Sequence, residues 1–419
     1  MAAERIRATY RIETAHPLDH AAEVMAGEQS TGTFIRVPGE TDELRERFAA
    51  RVEHIREIEE VDTPSLPGSR PPRGGASVRY RRAEVVLSWP LENMGVSLPN
   101  LVATVAGNLY ELREFSGLRL MDLELPMDFA DVYAGPQFGV EGTRRLAGVE
   151  GRPLIGTIVK PSVGLSPQET AELVRTLALA GLDFVKDDEL MANPPHSPLE
   201  QRVQAVMSVI DEVAQETGKK VMYAFNITDE IDAMLRHHDA VLAAGGTCVM
   251  VSLNSVGLPA VAHLRRHSRL PIHGHRNGWG ALSRHPYLGM EFIAYQKLWR
   301  VAGVDHIHTN GIRNKFCETD ESVVASARAC LAPFLGGYQV MPVLASGQWA
   351  GQAPDTYRRV GSVDLMYLCG GGIMAHPAGV AAGVASVRQG WEAALADIPL
   401  ADYARDHVEL AQAIAVYGR

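Results

Sequence analysis

The rhythm of apolar and polar positions changes once along this chain. In the first 130 or so residues it is mixed: a helix-spaced stretch over 41–60 and alternating runs such as 83–89 predict helices and strands, and the Pro/Gly-rich segment 64–75 predicts a loop. From Leu154 onward it is regular, with short β-branched runs alternating with Ala/Leu-rich helical stretches. The runs at 154–160, 183–188, 220–226, 247–253, 270–275, 304–309, 339–346 and 364–369 read as strands. Stretches such as 167–180, 198–216 and 231–244 read as helices between them. Eight such units within roughly 265 residues predict a closed parallel (β/α)8 TIM barrel. A doubly wound open sheet would usually have fewer strands, and no Gly-rich dinucleotide fingerprint follows the first run. The expected fold class is α/β, with a smaller N-terminal α+β domain over 1–135 and a catalytic barrel over 136–419.

Composition narrows the classes of function. With 46% hydrophobic and 21% charged residues, the 419-residue chain reads as an ordinary soluble protein of two-domain size. A formal net charge of -10 without a basic stripe argues against nucleic acid as a partner. No apolar run is long enough to span a membrane, and the first residues lack a signal-peptide core. The scattered cysteines Cys248, Cys317, Cys330 and Cys369 favour a reducing, cytoplasmic setting over a cysteine zinc site.

Candidate chemistry falls at one end of the strands. In order, the C-terminal ends carry Lys160; Lys186 with Asp188 and Glu189; Asn226; Asn254; His273 with His275 and Arg276; His308; Ser346; and Gly370–Gly372. Barrel active sites are built at that rim, whereas solubility alone is already served by helices and loops. The stretch 181–189 is the most informative. Alternation puts Phe184, Lys186 and Asp188 on one face and Val185 and Asp187 on the other. A surface charge cluster is the bland alternative, and the apolar lead-in argues against it. Asp188 and Glu189 are hard oxygen ligands suited to magnesium. A third oxygen is missing unless Lys186, deprotonated near a cation, adds CO2 to become a carbamate. His273 and His275 share a strand face, and Arg276 suits phosphate or carboxylate. Ser346-Gly347 and Gly370–Gly372 are either tight turns or places where backbone N–H groups approach an anion.

These residues resemble the large subunit of RuBisCO over nearly the whole chain, and more closely the RuBisCO-like proteins that do not fix CO2. The resemblance rests on GTIVKP at 156–161, GLDFVKDDE at 181–189, HGHR at 273–276, DHIHT at 305–309 with Lys315 beyond it, Ser346-Gly347, the glycines at 370–372, GEQSTGT at 27–33 and Gly107-Asn108. It implies an N-terminal α+β (ferredoxin-like) domain before the barrel. It also implies a carbamylated Lys186 which, with Asp188 and Glu189, binds Mg2+. Lys160 and His275 would be acid/base groups, and Lys315 a loop lysine that closes over a carboxylate. Arg276, His308, Ser346, Gly347, Gly370 and Gly371 would hold phosphate or substrate oxygens. Glu28, Thr33 and Asn108 would complete the site of a second subunit, which makes the expected state a homodimer or larger.

Departures from the carboxylase pattern shift the expected substrate. Ser162 stands where carboxylases carry a second lysine, Phe34 replaces a tryptophan, Gln348 replaces a glycine of one phosphate site, and Trp279 adds bulk after Arg276. A substrate with one phosphate is expected rather than a bisphosphate. The segments 190–193, 272–280 and 346–349 are similar to RuBisCO-like proteins that decarboxylate or hydrolyse 3-oxo-isoapionate 4-phosphate, and this reaction class is the expectation. A β-keto acid that loses CO2 leaves the same kind of enediolate that RuBisCO forms by proton abstraction. The alternatives are an enolase or isomerase of methylthio-sugar phosphates in methionine salvage, and a non-catalytic regulatory protein.

Overall fold

A computed structural model describes residues 4–32, 37–72 and 78–418. The chain divides into two compact units, Met1–Tyr133 with Gly278–Val301, and Ala134–Asn277 with Ala302–Arg419. In the first, strands Arg5–Thr14, Arg51–Val61, Tyr80–Pro90 and Phe115–Glu124 form an antiparallel sheet. Helix Leu18–Glu28 follows the first strand and Leu98–Ala106 precedes the fourth. The sheet order, fourth-first-third-second, is ferredoxin-like, and the short strand Leu288–Met290 pairs in parallel beside the fourth. Alternation builds its core: Ile6, Ala8, Tyr10 and Ile12 are buried along the first strand, and Ala83, Val85, Leu87 and Trp89 along the third.

The helical reading of 41–60 is corrected. Only Asp42–Phe48 is helical, capped by the Thr41 hydroxyl, which accepts from the Leu44 N–H at 3.1 Å. Arg51–Val61 is the edge strand of the sheet. Its Glu and Arg residues are good helix formers in isolation. Pairing with Tyr80–Pro90 overrides that preference, and the charges meet across strands: Arg56 with Glu84 at 3.1 Å and Glu59 with Arg82 at 2.8 Å. The described part of the 64–75 segment contains neither helix nor strand.

In the second unit eight parallel strands close into a barrel: Leu154–Ile158, Phe184–Lys186, Met222–Asn226, Cys248–Ser252, Ile272–His275, His306–Asn310, Met341–Ala345 and Met366–Leu368. The lower interior is apolar, filled by Leu154, Phe184, Met222, Met250, Met341, Val343, Met366 and Leu368. Gly156 is required there, because a Cβ would come within 2.5 Å of Leu368 and 2.7 Å of the Phe184 carbonyl.

Strand two is anchored from outside by Asp187. Its carboxylate accepts from the Tyr223 hydroxyl at 2.6 Å and the Asn226 N–H at 2.9 Å, and pairs with Arg202 at 3.2 Å with both side chains buried. Arg202 also donates to the carbonyls of Ser197, Met191 and Ala192. Removing one partner of such a pair strands a buried charge, at a cost of about 3–5 kcal/mol. Arg202→Met should therefore lower the unfolding free energy by that amount, read as a lower denaturant midpoint at unchanged m-value, and a midpoint equal to the parent's would refute the anchoring role.

Candidate active site

The residues that follow the apolar layers inward are polar. Lys186, two positions beyond Phe184, is 1% exposed. Its Nζ lies 3.6 Å from Glu189 Oε2 and donates to the Asp187 carbonyl at 2.9 Å. Strand two ends at Lys186, so Asp188 and Glu189 occupy the turn beyond it. Asp188 Oδ2 accepts from Lys160 Nζ at 2.7 Å, and Lys160 also donates to Ser162 Oγ at 2.7 Å. The Asn226 amide holds the turn by donating to the Asp188 and Glu189 carbonyls, both at 3.2 Å. Lys160, Lys186, Asp188 and Glu189 thus form one cluster.

Burial pushes the Lys186 amine below the usual lysine value, against the pull of Glu189, Asp188 and Asp187. Burial also raises Asp188, but the Lys160 hydrogen bond, the Leu190 N–H and the neighbouring ammonium charges outweigh it and hold the carboxyl below its ordinary value. For Glu189 the same opposition ends the same way, with His275 and Lys186 overcoming desolvation. Two carboxylates kept ionised beside an amine biased towards neutrality form a donor set that a hard divalent cation fits.

Histidines cross the barrel interior from this cluster. His275 Nε2 lies 3.5 Å from Glu189 Oε2, and its ring centroid is 4.3 Å from that of His308. His308 Nε2 is 2.7 Å from His273 Nε2, His273 Nδ1 is 3.3 Å from His306 Nδ1, and His306 Nε2 is 2.8 Å from Thr143 Oγ1. Burial pushes all four below the usual histidine value, His275 to about 4 and His306 to about 3. The protons of neutral rings can then be counted. Thr143 Oγ1 donates its only proton to the Gly139 carbonyl, which has none to give. His306 must therefore donate from Nε2 and accept at Nδ1. His273 donates from Nδ1 and accepts at Nε2, and His308 donates from Nε2. The remaining nitrogen of His308, Nδ1, carries a lone pair. The sequence drew attention to His273, His275 and His308 but not to His306 or Thr143, whose proximity comes only from the closed barrel.

At the ends of strands five to seven, Arg276 pairs with Glu318 at 2.7 Å, and Ser346 Oγ donates to Asn310 Oδ1 at 2.9 Å. Ser346 and Gly347 have φ of 73° and 82°, a left-handed turn that strains a serine. Gln348 fills the space beside Gly311, where a Cβ would come within 2.1 Å of its amide carbon, and donates to the Ile312 carbonyl at 3.1 Å. After strand eight, Gly372 is packed against the Gln348 carbonyl, whereas a Cβ on Gly371 would meet nothing within 4 Å. Gly370 opens the short helix Gly371–Met374. Lys315 is exposed on the loop after strand six, with Nζ 5.3 Å from the Phe316 ring and not in the lysine–carboxylate cluster. Trp279 is buried against Phe292 and Tyr295, centroids 5.8 and 4.5 Å away, so its bulk serves packing. In the N-terminal unit, Glu28 ends its helix and Asn108 starts a turn, both exposed, and Gln29 lies beside Gly107 between them. Thr33 and Phe34 lie outside the described residues.

Residues 139–417 match the family model for the ribulose bisphosphate carboxylase large chain, catalytic domain, and residues 2–129 match the model for its N-terminal domain. This chain belongs to the RuBisCO large-chain family. Among RuBisCO relatives, it is 54% identical over 416 residues, 99% of each chain, to a Xanthobacter autotrophicus protein named 3-oxo-isoapionate-4-phosphate transcarboxylase/hydrolase. It is 50% identical over 415 residues, 98% of each, to a Rhizobium rhizogenes protein named 3-oxo-isoapionate-4-phosphate decarboxylase. The crystal structure of a rubisco-like protein from Burkholderia fungorum superposes with a TM-score of 0.92 at 48% identity, covering 99% of this chain and 100% of that one. Among the described residues, no helix of this RuBisCO-family chain is long and apolar enough to cross a membrane.

The buried histidines give the fold a pH dependence of definite sign. Their folded-state pKa values lie below the unfolded value of about 6.5, so between the two the unfolded chain binds more protons. Stability is then complete above about pH 6.5 and is lost as the pH falls towards about 4. The denaturant midpoint should be lower at about pH 5 than at about pH 7.5, and His306→Asn should flatten that slope. Equal midpoints for the parent protein at the two pH values would refute the buried neutral chain.

Proposed function

We propose that this protein is a magnesium-dependent enzyme that cleaves a carbon–carbon bond of 3-oxo-isoapionate 4-phosphate, by decarboxylation or by hydrolysis. The observation that carries this reading is the buried Lys186 amine beside Glu189, with Asp188 held by Lys160 in the same cluster. It gains its substrate from the two relatives, 54% and 50% identical, whose names specify that compound.

Lys186 as a carbamate, with Asp188 and Glu189, would hold the magnesium ion. The bound ion supplies Lewis-acid stabilisation of the negative charge left on the substrate when the carbon–carbon bond breaks. The chain's own groups do the rest. Lys160, its ammonium beside Asp188 and Ser162, delivers a proton at the reacting carbons. His275, kept neutral by burial and with Nδ1 accepting from the Asn277 N–H, carries its proton on Nε2 and can donate a proton or a hydrogen bond to a substrate oxygen. Lys315, on its exposed loop, is the group for the substrate carboxylate. Ser346, Gly347, Gly370 and Gly371 bind substrate oxygens, with the phosphate on the strand-eight glycines. Glu28, Thr33 and Asn108 belong to the site of a second copy, which makes the working unit a homodimer or larger.

The purified protein with magnesium and bicarbonate should convert 3-oxo-isoapionate 4-phosphate, with CO2 evolution separating decarboxylation from hydrolysis. No turnover of this substrate, with turnover of a methylthio-sugar phosphate, would overturn the reading. Lys186→Ala should lose activity by about 10³-fold or more, the scale expected for removing a group that holds charge stabilisation in the site. It should also lose the carbamate carbon signal in NMR of protein treated with 13C-bicarbonate, and a signal that persists in the variant would refute the carbamate.

A further inference from the structure

The rim at the ends of strands five, six and seven is built like an anion site, but the chain neutralises it from within. Arg276, with a side chain 6% exposed, donates to Glu318 Oε2 at 2.7 Å. The same oxygen accepts from Asn310 Nδ2 at 2.7 Å, and the other carboxylate oxygen accepts from Ser322 Oγ at 2.9 Å. Ser346 is drawn into the network through Asn310. A phosphate entering here would have to displace a carboxylate held by three side-chain donors, or else sit against its charge. His308 adds to the same bias: with its Nε2 proton committed to His273, its free nitrogen is an acceptor, which suits a hydroxyl group better than a phosphate oxygen. Gln348 adds a neutral amide to the same side. Among the described residues nothing comparable crowds Gly371 after strand eight, where a Cβ would meet no atom within 4 Å.

We propose that Glu318 is a specificity-determining residue that closes the second phosphate subsite, so that the Arg276–Asn310–Ser346 rim receives an uncharged, hydroxyl-bearing end of the substrate. The inference rests on the one-phosphate reading above and names the residue that enforces it. Its source is local: the loop after strand six supplies its own carboxylate as a partner of Arg276.

The test uses inert probes, so that binding is read without turnover. Ribitol 5-phosphate and ribitol 1,5-bisphosphate are titrated calorimetrically into the full-length protein with magnesium and bicarbonate. Wild type should bind the two within about threefold of each other. Glu318→Gln removes the charge, keeps one oxygen to accept from Asn310, and can donate from its NH2 to the Ser322 hydroxyl oxygen. It should tighten bisphosphate binding by about tenfold or more and change monophosphate binding by less than about twofold. Glu318→Asp should behave as wild type, and adding Arg276→Gln to Glu318→Gln should abolish the gain. Wild type that prefers the bisphosphate by about tenfold, or a Gln variant with an unchanged ratio of affinities, would overturn the proposal. Failure to turn over 3-oxo-isoapionate 4-phosphate, with these ratios as expected, would retire the reaction assigned above and leave the role of Glu318 standing.

Discussion

Lys186 points into the barrel because Asp187 points out of it. A β-strand alternates its side chains strictly, so one residue's register error on strand two would send the aspartate inward and the lysine into the helix layer. Arg202, Tyr223 and the Asn226 N–H hold Asp187 in place from outside. Pairing on both sides, Ile158 with Lys186 and Lys186 with Ala224, fixes the strand between its neighbours. The candidate metal cluster, the turn that carries Asp188 and Glu189, and the position of Lys160 all depend on that register.

A polar barrel interior is tolerable only if its groups are neutral or paired. The two solutions lie side by side. On strands five and six the histidines stay uncharged and pass hydrogen bonds in one direction, ending on the Gly139 carbonyl. On strands one and two, lysine and carboxylate charges offset one another, and burial biases the innermost amine towards neutrality. A folded core that keeps a weakly basic amine and ionised carboxylates at its mouth is poised for charge-stabilising chemistry at neutral pH.

Much of this was legible in the sequence. The strand ends could be read because each apolar run is local and ends in a residue with chemistry, and period-two alternation then assigns faces without tertiary information. The reading failed at 51–61, where charged residues with good helix propensity form an edge strand whose partner lies across the sheet. It also missed Glu318, which looks like an ordinary loop acid. Its partner Arg276 is 42 positions away and reaches it only through barrel closure. Arg202, 15 positions after Asp187, was invisible for the same reason.

The sequence by itself determined the barrel, the rim that gathers the candidate residues, and the place of Lys186, Asp188 and Glu189 at the end of its second strand, because hydrophobic periodicity and residue type are local properties. Only the tertiary structure decided which charges are spent on one another. It committed Asp187 to Arg202 and Arg276 to Glu318, ran the histidine hydrogen bonds towards Thr143, and left Lys186 buried beside Glu189. Partner choice among charges depends on distances between strands and loops far apart in the chain, and those distances exist only once the barrel has closed.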